Sequence, residues 1–193
     1  MEGSVGTGLN SPQNRSILTD VFPDLTDDVN FEILSPETPV YNCIAWAMQL
    51  TDRWVSIYDY PGFWWPDGVE KSMSVNALVH AFEAVGFTLC DNNHFEEGFD
   101  KVVLYKNEYA DKWTHASRIM SDTSEHSKFG ESWDGTHSHN VLCRTGPGHE
   151  EESYGVPYAF MKRETAGRAL QGDLSGRIKT DIRLLRGLLR SQE

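Results

Sequence analysis

The run Tyr41-Asn42-Cys43-Ile44-Ala45-Trp46-Ala47 follows a stretch, Glu32 to Pro39, in which Pro36 and Pro39 forbid a regular element. A helix is therefore expected to start here. Asn42 is a residue type that caps helix N-termini, and Cys43 falls at the first helical position. Ile44, Ala47, Met48 and Leu50 supply a buried face, so the spacing predicts a helix that runs through the core. A thiol at that end sits at the positive pole of the helix dipole, which favours thiolate over thiol.

A second helix follows. Ser74 caps it, Ala77, Leu78, Ala81, Phe82 and Val85 recur at helical spacing, and Gly86 ends it. Phe87-Thr88-Leu89-Cys90 reads as a short strand. Residues 101–106, 113–120 and 124–130 read as three strands joined by short polar turns, an antiparallel meander. Residues 131–152 are polar and Gly-rich, with a short strand at 140–143. Residues 154–161 read as the closing strand, placed at an edge by Pro157. Residues 177–190 read as an amphipathic helix with Ile178, Ile182, Leu185 and Leu189 on one face. The expected organisation is a flexible or irregular lead over 1–30, an α+β domain over 31–163, a linker over 164–176 and a basic amphipathic helix over 177–193.

Composition narrows the function classes. At 193 residues, with 39% hydrophobic and 11% aromatic residues, the chain can bury one core. No run of 18 apolar residues occurs, so no membrane span is expected. Residues 1–13 lack the basic and apolar regions of a secretion signal and read as a disordered lead or a delivery tail. Cys43, Cys90 and Cys143 form no CxxC pair. That argues against a disulfide framework and a structural zinc, and for the cytoplasm, of the producing cell or, for an injected effector, of a target cell. Residues 1–161 hold 9 Lys+Arg against 25 Asp+Glu, and residues 162–193 hold 8 against 4. The acidic body speaks against nucleic acid as a partner. The basic helix at 177–190 offers a face to a protein partner, to a second copy, or to the acidic body itself.

A thiol near neutral pH needs a base, and the base needs a polar group to fix its ring. His115, entering the second strand of the meander, is the candidate base for Cys43. The orienting group is expected from the next strand, which offers His126, Ser127 and Lys128, or from His139 or Asn140. Cys43, His115, Ser127 and His139 are thus the catalytic set. Asn42, Trp64, Trp65 and Lys128 are the substrate-binding set. The aromatic stretch 51–66 either packs over the core or lines a groove. Cys43 also reads as a small core residue, and His115 as an ordinary strand histidine. His137-Ser138-His139 would place two rings on one strand face, but the spacing fits no standard zinc pattern. No metal and no cofactor is expected: there is no Gly-rich phosphate loop, no GxSxG and no HExxH.

A set of ordered motifs carries a resemblance. Asn42-Cys43-Ile44-Ala45-Trp46-Ala47, Trp64-Trp65-Pro66, Gly98-Phe99 with Lys101-Val102-Val103-Leu104-Tyr105, Thr114-His115-Ala116-Ser117-Arg118, Ser127-Lys128-Phe129-Gly130, and Tyr154-Gly155 with Met161-Lys162-Arg163 resemble an uncharacterised bacterial family. Its members carry NCIAWA, GFEKVALY, THAARQ, SKLG and YG…MKR segments. The likeness spans about residues 41–163 and implies roles for Asn42, Cys43, His115, Ser127 and Lys128. Phe129 stands where the family has Leu, and His137 and His139 compete for a further histidine. The order of elements is also similar to that of the papain-like superfamily, including NlpC-type and transglutaminase-type enzymes.

The expectation is a papain-like α+β fold, N-terminal helices on an antiparallel meander plus the C-terminal amphipathic helix. The expected function is cysteine-dependent acyl transfer on a protein or peptide substrate (peptidase, amidase or deamidase). The alternatives are a non-catalytic binding or inhibitor-type module and a bacterial effector toxin.

Overall fold

In the computed structural model, which describes residues 8–144 and 153–165, the chain enters through a 3₁₀ turn at Gly8–Asn10 and helix α1, Pro12–Val21. Ser11 caps α1 by accepting from the Asn14 N–H, and Pro12 sits in its first turn, where no N–H is needed. A second 3₁₀ turn, Pro23–Asp27, leads to strand β1, Glu32–Ser35. Helix α2 covers Cys43–Ala47, and the two-residue strands β2, Trp54–Val55, and β3, Phe63–Trp64, pair in parallel beside it. Helix α3, Val75–Ala84, is capped by Ser74. Strands β4, Thr88–Cys90, β5, Phe99–Lys106, β6, Trp113–Ile119, β7, Ser124–Lys128, β8, Asp134–Ser138, and β9, Val156–Glu164, complete the order.

Seven strands form one antiparallel sheet in the order β1-β8-β7-β6-β5-β9-β4. Strand alternation sends Val102, Leu104, Ala116 and Met161 to one face, where they join Ile44, Ala45, Ala47, Leu78, Ala81 and Phe82 from α2 and α3. A second core of Leu18, Phe22, Leu25, Phe31, Ile33, Phe129, Trp133 and Leu142 lies over the other face. The expected irregular lead is therefore an ordered cover from residue 8 onward. Its apolar content is low, but Leu18, Phe22 and Leu25 are all buried against the sheet.

The papain-like expectation is overturned. The body is the seven-stranded antiparallel sheet, and the helices are short pieces of 10, 5 and 10 residues. Helix α2 in particular lies in the core but is short. Gln49 adopts a left-handed conformation (φ 66°) and the Leu50 N–H returns to the Ala45 carbonyl at 2.8 Å, a C-terminal stop after little more than one turn. The amphipathic helix expected at 177–190 lies outside the described residues.

Other elements also differ from expectation. Strand β1 occupies Glu32–Ser35, in the stretch expected to hold no regular element, because Pro36 comes only after its last residue. Strands β2 and β3 lie within the aromatic stretch 51–66, and the strand expected at 140–143 is a turn. Strand β8 lies in what reads as polar loop, because its alternating side chains are polar on both faces. Strand β9 is not an edge: it sits between β5 and β4. Pro157 is tolerated because β4 pairs only with residues 160–162 and because the β5–β9 register shifts between Leu104 and Tyr105, next to the Pro157 pair.

Candidate active site

Asn42 fixes the start of α2. Its Oδ1 accepts from the N–H groups of Ala45, at 3.0 Å, and Val55, at 3.3 Å, and its Nδ2 donates to the Val55 carbonyl at 2.9 Å. One side chain thus caps the helix and ties it to β2. It is fully engaged in the fold rather than offered to a substrate.

Helix α2 packs on β6 and β7. Those strands pair only at Arg118↔His126 and Ile119↔Glu125; among the described residues they part toward Ala116 and Lys128. Cys43 enters that parting. The backbone N–H groups of Ala116, Ile44 and Cys43 itself act to lower the pKa of the thiol. Burial nevertheless pushes the thiol up to about 11, outweighing those donors and the nearby Lys128 charge. The helix end alone does not make a thiolate here.

Lys128 lies on the same face as Cys43. Its ammonium donates to the Ser132 carbonyl and stands 5.6 Å from the Tyr41 ring centroid. Burial lowers its pKa, while Asp134 and Cys43 act the other way. Tyr41 donates to Asp134 Oδ2 at 3.0 Å, and His126 Nε2 stands 3.3 Å from Asp134 Oδ1 with its ring edge-on to Trp46. Lys128 and Asn42 are both buried, which separates them from the expected substrate wall.

His115 projects from the opposite face. Its Nε2 is 2.9 Å from Ser127 Oγ, which is itself 2.7 Å from His137 Nε2; His137 Nδ1 then meets the Ser138 carbonyl at 2.9 Å. All three side chains are completely buried. Among the described residues the Nδ1 of His115 has no hydrogen-bond partner, so His115 and Cys43 are not bonded to each other. Burial, followed by repulsion from His137, holds His115 well below the usual histidine range. Tyr154 borders both halves of the site. Its ring stacks on His115, and the Cys43 charge adds to burial in raising its phenol.

His139 is not part of this chain of contacts. Its Nδ1 is 2.8 Å from Glu125 Oε1, and Glu125 Oε2 accepts from Tyr105, at 2.5 Å, and from Ser117. Burial would raise the Glu125 carboxyl, but the His139 hydrogen bond leads a set of donors that hold it lowered, and His139 is raised in return. Cys143 is pushed up to about 12 by burial and by the Glu125 charge. Trp65 is buried and stacked on Trp113 at 6.2 Å, while Trp64 packs against the same core with the Arg53 guanidinium 5.8 Å from its ring. The aromatic stretch is chiefly core packing.

The residue that sequence reasoning left unresolved is His137. The register Glu125↔His137 and Ser127↔Gly135 puts Glu125, Ser127 and His137 on one face, with His137 diagonal to Ser127. The signal was the alternation of Glu-x-Ser in one strand and His-x-His in the next, which is readable only once β8 is recognised as a strand. Tyr105 and Tyr154 fall within the resembling motifs but carry no implied role, and Glu125 lies outside them.

A cleft of about 340 Å³, open solvent included, lies beside Thr114 and Gly155, the chain neighbours of His115 and Tyr154, with Asn107 and Ser153 on its walls. Among the described residues no group of three or more His, Cys, Asp or Glu side chains could hold a metal ion. No helix among them is long and apolar enough to cross a membrane. Residues 32–162 match the family described as domain of unknown function (DUF7689), and the chain belongs to that family. The match runs from the start of β1 into β9 and leaves α1 outside. No curated protein and no solved structure matches the chain.

Proposed function

We propose that this family member is a cysteine-dependent acyl-transfer enzyme acting on an amide carbonyl of a protein or peptide, with Cys43 as nucleophile and His115 as base. The observation that carries this reading is the Nδ1 of His115. It is fully buried and, among the described residues, unpartnered, while Nε2 of the same ring is anchored by Ser127. A buried nitrogen without a partner is costly, and such costs concentrate where chemistry needs them.

In the reaction, His115 Nδ1 takes the proton from the Cys43 thiol and the sulfur bonds to the carbonyl carbon. The carbonyl electron pair moves to oxygen, where the N–H groups that act on the thiol, those of Ile44, Cys43 and Ala116, receive it. Collapse breaks the C–N bond, and the leaving amine takes the proton back from His115. Water then hydrolyses the thioester. The thiol is neutral at rest, so proton transfer belongs to the substrate-bound state, when the two side chains come within hydrogen-bond reach.

One observation favours a second reading, a non-catalytic binding module: burial holds the Cys43 thiol at about 11, with no bond to His115. Incubation with p-nitrophenyl acetate separates the two. Acyl transfer predicts acetylation of Cys43, located by peptide mass mapping and slowed by about 100-fold or more in a folded His115→Ala variant. Acetylation confined to lysines, at a rate indifferent to His115, would support the binding module.

A further inference from the structure

We propose that His137 is a positioning residue that dictates, through Ser127, which nitrogen of His115 carries the proton. The inference rests on the acyl-transfer reading only for its consequence, since the tautomer itself follows from hydrogen-bond geometry.

The chain of contacts has one fixed end. The Ser138 carbonyl can only accept, so His137 Nδ1, 2.9 Å away, carries a hydrogen. His137 is enclosed in the protein, and burial, the largest influence on it, lowers its pKa, so the ring is neutral. A neutral ring with hydrogen on Nδ1 leaves Nε2 as an acceptor. Ser127 Oγ, 2.7 Å from that Nε2, must then donate to it. Having spent its only hydrogen there, Ser127 can only accept from His115, 2.9 Å away. His115 is therefore protonated on Nε2 and bare on Nδ1. The bare lone pair is the group a base requires, and it is the one atom of the relay without a partner.

The direction of every bond in the relay is set by a backbone carbonyl three links away. Reversal at His137 would reverse it all: Ser127 would donate to His115 Nε2, and Nδ1 would hold the proton and lose its basicity. Among the described residues Ser127 Oγ bonds only the two histidine rings, so no other acceptor competes for its hydrogen. A tautomer device of this kind needs an acceptor at the position of His137 Nε2, not an imidazole as such. Glutamine, whose carbonyl oxygen reaches that position, should serve in its place.

The test is nitrogen-15 NMR of the full chain at neutral pH, assigning the histidine tautomers from long-range proton–nitrogen correlations. The wild type should show His115 protonated on Nε2 and His137 on Nδ1. In His137→Phe the Ser127 hydrogen has only His115 to bond, so His115 should switch to the Nδ1–H form and Cys43 acetylation by p-nitrophenyl acetate should fall at least about tenfold. His137→Gln should restore both. Ser127→Ala, which removes the relay with a smaller change of volume, should release His115 to a mixture of tautomers. An Nδ1–H form of His115 in the wild type, or a tautomer unchanged in both His137→Phe and Ser127→Ala, overturns the proposal. Correct tautomers without any acetylation of Cys43 would leave His137 its positioning role and sink the acyl-transfer reading instead.

Discussion

The rings of Tyr154 and His115 lie parallel within 1°, with centroids 3.8 Å apart. Tyr154 also touches Phe22 at 4.9 Å and receives the Thr114 hydroxyl on its carbonyl, so it closes the N-terminal core over the histidine. Removing it should let water reach His115. Tyr154→Ala is expected to cost about 2–3 kcal/mol of stability, from lost aromatic packing. Because burial is the main cause of the depressed His115 pKa, that pKa should rise toward the ordinary histidine range. Urea unfolding and an NMR titration of the His115 ring check the two outcomes. An unmoved titration would show that Tyr154 does not shield the ring.

The Cys43 thiol gives a pH dependence of definite sign. Its folded pKa is raised to about 11, so the folded chain keeps a proton that the unfolded chain releases above the ordinary thiol value of about 9. Stability is therefore lost as pH climbs through that window, by roughly 2 kcal/mol for this one group. Cys143 behaves alike and acts equally in both proteins when wild type is compared with Cys43→Ala. The variant should gain on the wild type between neutral pH and a pH of about 11, as read by denaturant midpoints. Parallel curves would mean that the thiol is not desolvated.

Asn42→Ala removes a helix cap and strands the Val55 carbonyl and N–H in the interior. The cap is worth about 1 kcal/mol and the orphaned groups about 1–2 more. The variant should lose about 2–3 kcal/mol in urea unfolding, whereas Asn42→Asp, which keeps the accepting oxygen but not the donor to Val55, should fall between. Equal losses for the two would place the whole effect in the Val55 contact.

Gly155 and Gly62 share the same backbone angle, φ 86°, but not the same surroundings. A Cβ at Gly155 would run into the Lys106 carbonyl, whereas one at Gly62 meets nothing within 4 Å. Gly62→Ala should cost about 1 kcal/mol, the backbone strain alone. Gly155→Ala should cost clearly more and disturb Tyr154 beside it. Similar melting temperatures for the two would contradict the close approach.

Much of the fold was legible where one physical signal decided the outcome. Asn42 as cap with Cys43 behind it, Ser74 and Gly86 bounding α3, and the alternating runs of β5, β6 and β7 are local patterns, and the structure follows them. The errors share a cause: burial that local composition does not announce. Strand β8 contains Gly135, Thr136 and His137, which read as loop, yet Asp134 and His137 are buried through His126 and Ser127 of β7. The length of α2 was overread because Met48 and Leu50 continue the apolar pattern beyond the point where Gln49 turns the backbone. The site divided in the same way. His137 contacts Ser127 and His139 contacts Glu125, and telling those two histidines apart needs the β7–β8 register, a non-local fact.

The position of β9 has a consequence for how the chain reaches this structure. Among the described strands it is the last to be synthesised, yet it pairs with β5 along eight positions and is the partner of β4. Until residues 156–164 leave the ribosome, β5 presents an open edge and β4 has no neighbour in the sheet. Between Lys106 and Val156 the nascent chain thus carries these strands with unpaired edges, the state in which strands join the wrong partner. The long loop closure that β9 completes makes this a slow folder for its size, and a chain ending before Val156 should precipitate rather than fold to a smaller sheet.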